Sequence, residues 1–301
     1  MKRFRVVTGA LLLLLAPRGG MPSADLPAGA WESVDRVLGE AGKDLPENVH
    51  KFGWPRTDLR VTLAGITIEP ALALGSWAAF QKTGNGEEAI VMGDLVLLGP
   101  EVPAAVGKLQ AGGFEILAIH NHLIDETPRL LYVHFHGRGE AEAIARTLKT
   151  ALDKTKTPLR PAAAKTPVKL TPGQEKTFEE VQAALGHKGT MAGHVLQVTV
   201  PRAVPIQQDG MEVPTSMGMA IAMNFEHLGS RVATTGDFVL TGDEVNPVIR
   251  ELRLHEIEVT ALHSHMLREE PRLFFLHFWG VGGPEKIAEG LKAALAKVAT
   301  K

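Results

Sequence analysis

Ala118–Gly139 reads AIHNHLIDETPRLLYVHFHGRG, Ala261–Gly282 reads ALHSHMLREEPRLFFLHFWGVG, and the two are identical at 11 of 22 positions. The second lies 143 residues after the first (261 − 118). Gly75, Gly93-Asp94 and Glu101-Val102 recur at the same displacement as Gly218, Gly236-Asp237 and Glu244-Val245. Self-similarity at a fixed period predicts one duplicated unit, in a gapless register from Gly75 to the end of the chain. The copies have diverged unevenly: Ala71–Leu117 and Pro214–Thr260 share only 12 of 47 residues, so the histidine-bearing stretch is the better kept.

The chain has 301 residues, about twice an ordinary domain. The expected organisation is a signal peptide over 1–24, a repeat domain over 25–153, a linker over 154–176 and a second repeat domain over 177–301. Pro158, Pro161, Pro167 and Pro172, set among Lys and Thr, give the linker its extended composition. Each copy opens with an amphipathic helix, Trp31–Ala41 and Phe178–Leu185. Early strands are read at Arg60–Ile68 and Leu196–Pro201, and a β-rich run at Ala89–Leu98 and Arg231–Leu240. A helix follows at Glu101–Ala111 and Glu244–Leu254, with its acid in the first turn where the helix dipole favours it. Strand-like Phe114–His122 and Arg129–His136 and a last helix, Glu140–Leu152, complete the unit. The predicted class is α+β: two tandem β-α-β-β-α units, with helices on one face of a mixed sheet.

Composition narrows the function classes. A net charge of −2 leaves no basic excess for phosphates, which argues against nucleic acid as a partner. Lys2, Arg3 and Arg5 precede the apolar run Val6–Ala16, and small residues follow near Pro22, Ser23 and Ala24; this is the pattern of an export signal, with an uncleaved anchor as the alternative. A mature start near Asp25 and a periplasmic or secreted location are expected, with no stable membrane insertion after cleavage. The absence of cysteine excludes disulfides, thiolate metal sites and attachment of lipid through an N-terminal Cys. Any metal must be held by nitrogen and oxygen.

The repeated polar set is His120, His122, Glu126 and His134 in the first copy and His263, His265, Glu269 and His277 in the second. Residues two apart on a strand share a face, so His120 and His122 project together. A hairpin centred on residue 128 would set His122 opposite His134 and His120 opposite His136. Glu126 and Glu269 fall in the turns, placed to ligate a metal or to act as general base on a bound water. Such a set suits zinc, manganese, iron or nickel, and Met211, Met217, Met219 and Met223 offer softer ligands for copper. His136 is a further imidazole that could ligate or support the set, and Arg129 and Arg272 are candidates to hold the Glu or a small anionic ligand, although an Arg opening a strand is more often a solvated edge or a simple ion pair. His136 becomes Trp279 and Asp125 becomes Arg268, so the copies need not be equivalent. Asp94 and Asp237 read as turn residues before a strand. The alternative for the whole set is satisfied histidines that knit strands together.

The spacing His-x-His-x3-Glu is similar to the first motif of the cupins, but His134 follows Glu126 by only eight residues, so the likeness is one of ligand chemistry and not of fold. The stretches Glu69–Phe80 (EPALALGSWAAF), Gly93–Leu97 (GDLVL), His120–Leu123 (HNHL), Asp209–Gly218 (DGMEVPTSMG) and Ala261–Leu267 (ALHSHML) resemble the DUF1259 or LppY/LpqO-like family of exported bacterial proteins, which includes mycobacterial lipoproteins. The likeness spans nearly all of the expected mature chain and implies no assigned activity; without a lipobox Cys, this chain would be a non-lipidated member. Three classes stay open: a divalent-metal protein of the envelope that stores, buffers or senses an ion, a metal-dependent hydrolase or dioxygenase, and an interaction module with a structural His cluster.

Overall fold

The computed structural model describes residues 29–83, 88–159 and 168–301. The expected signal peptide lies outside them, as do residues 160–167 of the expected linker. The first unit runs α1 (Glu32–Leu38), β1 (Lys43–Leu45), β2 (Val49–Pro55), β3 (Thr62–Leu63), β4 (Ile66–Thr67), α2 (Pro70–Ala73), β5 (Gly75–Thr83), β6 (Glu88–Leu98), α3 (Val102–Ala111), β7 (Glu115–His120), β8 (Leu130–Glu140) and α4 (Ala141–Leu152). The second runs α5 (Pro172–Leu185), β9 (Thr190–Ala192), β10 (Val195–Pro201), β11 (Gln207–Gln208), β12 (Met211–Glu212), β13 (Ala220–Leu228), β14 (Arg231–Thr241), α6 (Gly242–Leu254), β15 (Glu258–His263), β16 (Glu269–Glu270), β17 (Leu273–Gly282) and α7 (Pro284–Leu295). No helix among the described residues is long and apolar enough to cross a membrane.

Two six-stranded sheets share one topology, β1-β2-β5-β6-β8-β7 and β9-β10-β13-β14-β17-β15. Every pairing in them is antiparallel, where the sequence predicted a mixed sheet. The cause is the placement of β8. The crossover through α3 would make β6 and β7 parallel neighbours, but β8 returns between them and pairs with both. The early strand of the first unit is β2, the counterpart of β10; Arg60–Ile68 instead forms the short hairpin β3–β4.

The pairing also corrects the gapless register. Trp77 faces Asp94 and Ala222 faces Asp237, so β5 and β13 are offset by 145 residues (222 − 77), whereas β6 and β14 are offset by 143 (237 − 94). Four residues separate Thr83 from Glu88 and two separate Leu228 from Arg231, which accounts for the difference.

Alternation along the strands assigns the faces. In the first unit Phe52, Phe80, Val91, Leu95 and Phe135 pack with Val34, Leu38, Leu109, Ile144 and Leu148 of α1, α3 and α4. The opposite face of β6 carries Ile90, Met92, Asp94 and Val96, and it is covered by the other unit. Ile90, Met92 and Leu117 join one cluster with Met217, Met219 and Met266, while Leu72, Val96 and Tyr132 join another with Val195, Ala233 and Trp279. Burial on both faces explains why β6 is apolar nearly throughout, as central strands covered on both sides are.

The contacts between units are reciprocal. Gln197 donates to Ala71 O at 2.9 Å and Asn224 to Leu72 O at 2.8 Å, while Lys51, the counterpart of Gln197, donates to Ser216 O at 2.8 Å. Each unit thus lays an arm across the other's sheet. Within each unit a buried ion pair ties a loop to the sheet: Arg56 Nη1 to Glu101 at 2.8 Å and Val96 O at 2.7 Å, and Arg202 Nη1 to Glu244 at 2.8 Å and Val239 O at 2.6 Å. Burial would raise the pKa of Glu101 and Glu244, but the bonds from Arg56 and Arg202 and from nearby backbone N–H groups outweigh it and hold both below the ordinary range.

Candidate metal centre

The histidines sit on the helix-free faces, and they meet across the seam between units. On the first sheet Ala118 pairs with His134 and His120 with Tyr132, after an irregularity between Ile116 and Ala118. The expected hairpin had set His122 against His134 and His120 against His136. The chain instead leaves β7 at His120, and His122 lies beyond the ladder in the loop toward β8. The observed and expected registers differ by an even number of residues, so His120 and His134 still share a face. The same register recurs in Ala261↔His277 and His263↔Phe275.

The two expected clusters are one. His120 and His263 stack with ring centroids 3.5 Å apart, His122 and His277 at 3.7 Å, and His134 and His265 at 3.7 Å. Tyr132 covers the far face of His122 at 3.3 Å, and its counterpart Phe275 covers His265 at 3.6 Å. One ligand atom from each of His120, His122 and His134 lies within 4.8 Å of the others, and so does one from each of His120, His263, His265 and His277. His120 belongs to both groups.

All six Nε2 atoms are buried without a hydrogen-bond partner. On the other side of three rings Nδ1 meets a carbonyl: Asn121 O at 2.9 Å from His120, Ser264 O at 3.4 Å from His263 and Gly236 O at 3.0 Å from His277. A carbonyl only accepts, so the hydrogen is on Nδ1 and the Nε2 lone pair is free, as in a metal-ligating histidine. Burial drives the imidazoles toward the neutral form, His120 to about 4 and His263 to about 3. His122, His134, His265 and His277 are also lowered, by burial first and then by the neighbouring imidazoles.

Two carboxylates flank the rings. Asp94 Oδ2 is 3.7 Å from His134 Nε2 and 3.9 Å from His122 Nε2, and Asp237 Oδ1 is 3.8 Å from His277 Nδ1. These separations are too long for hydrogen bonds, and Oδ1 of each Asp is buried without a partner. Burial raises Asp94 to about 8; it raises Asp237 as well, with the Asp94 charge as a further cause. Eight polar side chains, Asp94, His134, His265 and His277 buried and the other four partly so, thus converge with buried polar atoms unsatisfied, an arrangement that costs free energy unless a cation completes it.

Other expected residues stand elsewhere. Neither Glu126 nor Glu269 belongs to a group of ligand atoms within 4.8 Å. Glu126 Oε1 accepts from Leu130 N at 3.0 Å and Glu269 Oε1 from Leu273 N at 2.9 Å, so each closes the loop behind its histidines, and the loop backbone draws the carboxylate away from the rings. Arg272 bonds Glu269, Met266 O and Ser264 Oγ, bracing the loop that carries His265, whereas Arg129 is exposed. His136 faces Glu115 at 3.5 Å, outside both histidine groups. Asp94 and Asp237 lie within β6 and β14 and not in turns. Their signal in the sequence is a carboxylate in the middle of an apolar strand, repeated in both copies. Met217, Met219 and Met223 are core residues.

A cavity of about 220 Å³ opens beside His122 and His277 and includes Asp94 and Asp237 in its wall.

Among solved structures, similarity is found to the trimeric bacterial microcompartment shell protein PduB (12% identity, 86% of this chain and 90% of that one, TM-score 0.21), to EtuB from Clostridium kluyveri (10%, 84% and 90%, 0.19) and to TP0453 (13%, 86% and 96%, 0.19). Overlaps this low assign neither fold nor function. No curated protein matches. The model of the family described as Domain of Unknown Function (DUF1259) matches residues 32–154 and 179–297, one match to each unit, and the chain belongs to that family.

Proposed function

We propose that the protein binds divalent metal at a single centre built from both halves of the duplication, with His120, His122 and His134 on one side and His263, His265 and His277 on the other. The observation that carries this reading is the set of six buried Nε2 atoms without partners, on histidines that form two ligand groups joined at His120. Neutral imidazole is the ligand form, and the lowered pKa values keep it so at neutral pH. Nitrogen with flanking carboxylate suits zinc, manganese, iron or nickel ahead of copper, because the methionines are in the core. Glu126 and Glu269 hold the ligand loops in this reading; Asp94 and Asp237 are the nearer carboxylates. Storage, buffering or sensing in the periplasm or outside the cell is the proposed role, supported for location by the charged start and the apolar run Val6–Ala16.

The cavity beside His122 and His277 favours a second reading, a metal-dependent enzyme, since space for a substrate against a ligand set is what a catalytic site requires. Elemental analysis of untagged protein, followed by metal titration of the chelated form, tests binding directly. A protein that carries and takes up no transition metal would refute both readings and leave the interaction module. Turnover that disappears with the metal would favour the second.

A further inference from the structure

The seam is reciprocal at the histidines but not beside them. Asp237, Thr235, Ala222 and Gln197 wall the 220 Å³ cavity, and by strand pairing their counterparts in the first unit are Asp94, Met92, Trp77 and Lys51. On that other flank, beside His134 and His265, the space has shrunk to about 10 Å³, lined by Trp77, Met92, Met217 and Met219. Lys51 lies over the Trp77 ring, 4.3 Å from its centroid, which adds a cation–π contact to the plug. Large apolar residues thus fill one of two equivalent recesses, while small and polar ones keep the other open.

The open recess has a readable chemistry. It holds about seven waters' worth of space at ~30 Å³ each. Among the described residues that line it there is no lysine or arginine. Asp94, only 4% exposed, and Asp237 both line it, and each has an unpartnered Oδ1. Gln197 and Asn224 each donate one amide N–H, to Ala71 O and Leu72 O, and their amide oxygens can accept. Trp77 and Leu72 add apolar surface. In the metal-free protein no lysine or arginine offers an anionic ligand a counter-charge here, and the carboxyl and amide oxygens call for hydrogen-bond donors.

We infer that this recess is a binding pocket for a small non-anionic molecule rich in hydrogen-bond donors, a polyol or a hydroxylated amine, and that its twin was closed after the duplication. The pocket is made by the protein alone, so it stands or falls apart from the metal reading.

Ligand-observed NMR on the full chain, as purified and after chelation, tests it with glycerol, glucose, ethanolamine and acetate as probes. Binding of glycerol or glucose identifies a hydroxyl-rich ligand and binding of ethanolamine an ammonium; in the chelated protein, where preference is judged, acetate should bind at least tenfold more weakly. Thr235→Met copies the plug from the first unit and should weaken the bound probe at least tenfold while metal content stays at the wild-type value. Ala222→Leu, a second filler, should do the same should Thr235→Met not fold. Failure of all four probes, preference for acetate, or wild-type binding in a folded filled variant would overturn the inference. Probe binding by a protein that neither carries nor takes up transition metal would uphold the pocket and refute the metal centre.

Discussion

His120 and His263 occupy equivalent positions in the two copies, and their imidazoles stack across the seam at 3.5 Å. The duplication therefore did not yield two independent sites. Each copy supplies half of one histidine cluster, as in an isologous dimer whose partners have been joined in one chain.

Because His120 belongs to both ligand groups, His120→Ala should weaken metal binding at the whole centre and not at one half of it. A loss of at least tenfold in affinity is expected, and adding His263→Ala should cost less than the two single losses combined, since the residues share partners. Titration of the chelated variants with zinc, read by calorimetry, measures this. Retention of one wild-type-affinity ion in His120→Ala would contradict the merged centre.

The chelated protein should be most stable near pH 6.5. Six imidazoles are lowered by burial, so below the ordinary value of about 6.5 the unfolded chain takes up protons that the folded chain refuses, and stability falls as pH drops toward the folded values of about 4 and 3 for His120 and His263. Asp94 acts in the opposite sense. It is raised to about 8, so from its ordinary range of about 4 up to about 8 the folded chain holds the extra proton and stability falls as pH rises. Below pH 6.5 the six histidines outnumber the carboxyls; above it the carboxyls act, until near pH 8 Lys51, which burial lowers to about 8, begins to oppose them. Urea unfolding from pH 5 to 8.5 checks the maximum, which metal should raise.

The duplication, the α+β class and the six histidines were legible in sequence because each rests on identity or on local pattern. The sheet order was not legible. Nothing in the run from β6 to β8 states that β8 inserts between its predecessors, since strand order is set by which faces must be buried. The merging of the clusters was equally hidden, because it depends on how two helix-free faces pack. Glu126 misled because an acid beside histidines in sequence looks like a ligand, whereas the loop's backbone N–H at Leu130 claims it. Asp94 was underread because Gly-Asp is also turn chemistry.

Arg56 is fully buried, with Glu101, Asp58 and Val96 O as its partners. Arg56→Ala leaves Glu101 facing the interior without its counter-charge, and a destabilisation of about 3–5 kcal/mol is expected. Arg202→Ala removes the equivalent partner of Glu244 and should cost a comparable amount. Denaturant unfolding followed by fluorescence and by circular dichroism should give coincident transitions, because each unit covers the other's sheet; separate transitions for the two halves would show that the seam does not couple them.

A glycine stands directly before Asp94 and before Asp237. A Cβ on Gly236 would stand 1.9 Å from Ala222 O, and one on Gly93 would meet Trp77 O at 2.4 Å and the Phe135 ring at 2.3 Å. Backbone cannot yield as a side chain can, so only glycine lets β13 and β14 approach at this point. The same residue serves the centre: Gly236 O receives the Nδ1 hydrogen of His277, and Asp237 follows directly in the strand. Gly236→Ala should therefore lower stability by more than about 2 kcal/mol, in the range of overpacked cores, and should reduce metal affinity more than its distance from the ligand nitrogens alone would suggest. Gly53, whose Cβ would meet nothing within 4 Å, is the control, and Gly53→Ala should leave metal affinity unchanged. Melting curves with and without added zinc separate the two effects. A Gly236→Ala protein with the stability and zinc affinity of the wild type would show that the approach of β13 to β14 does not set the position of His277.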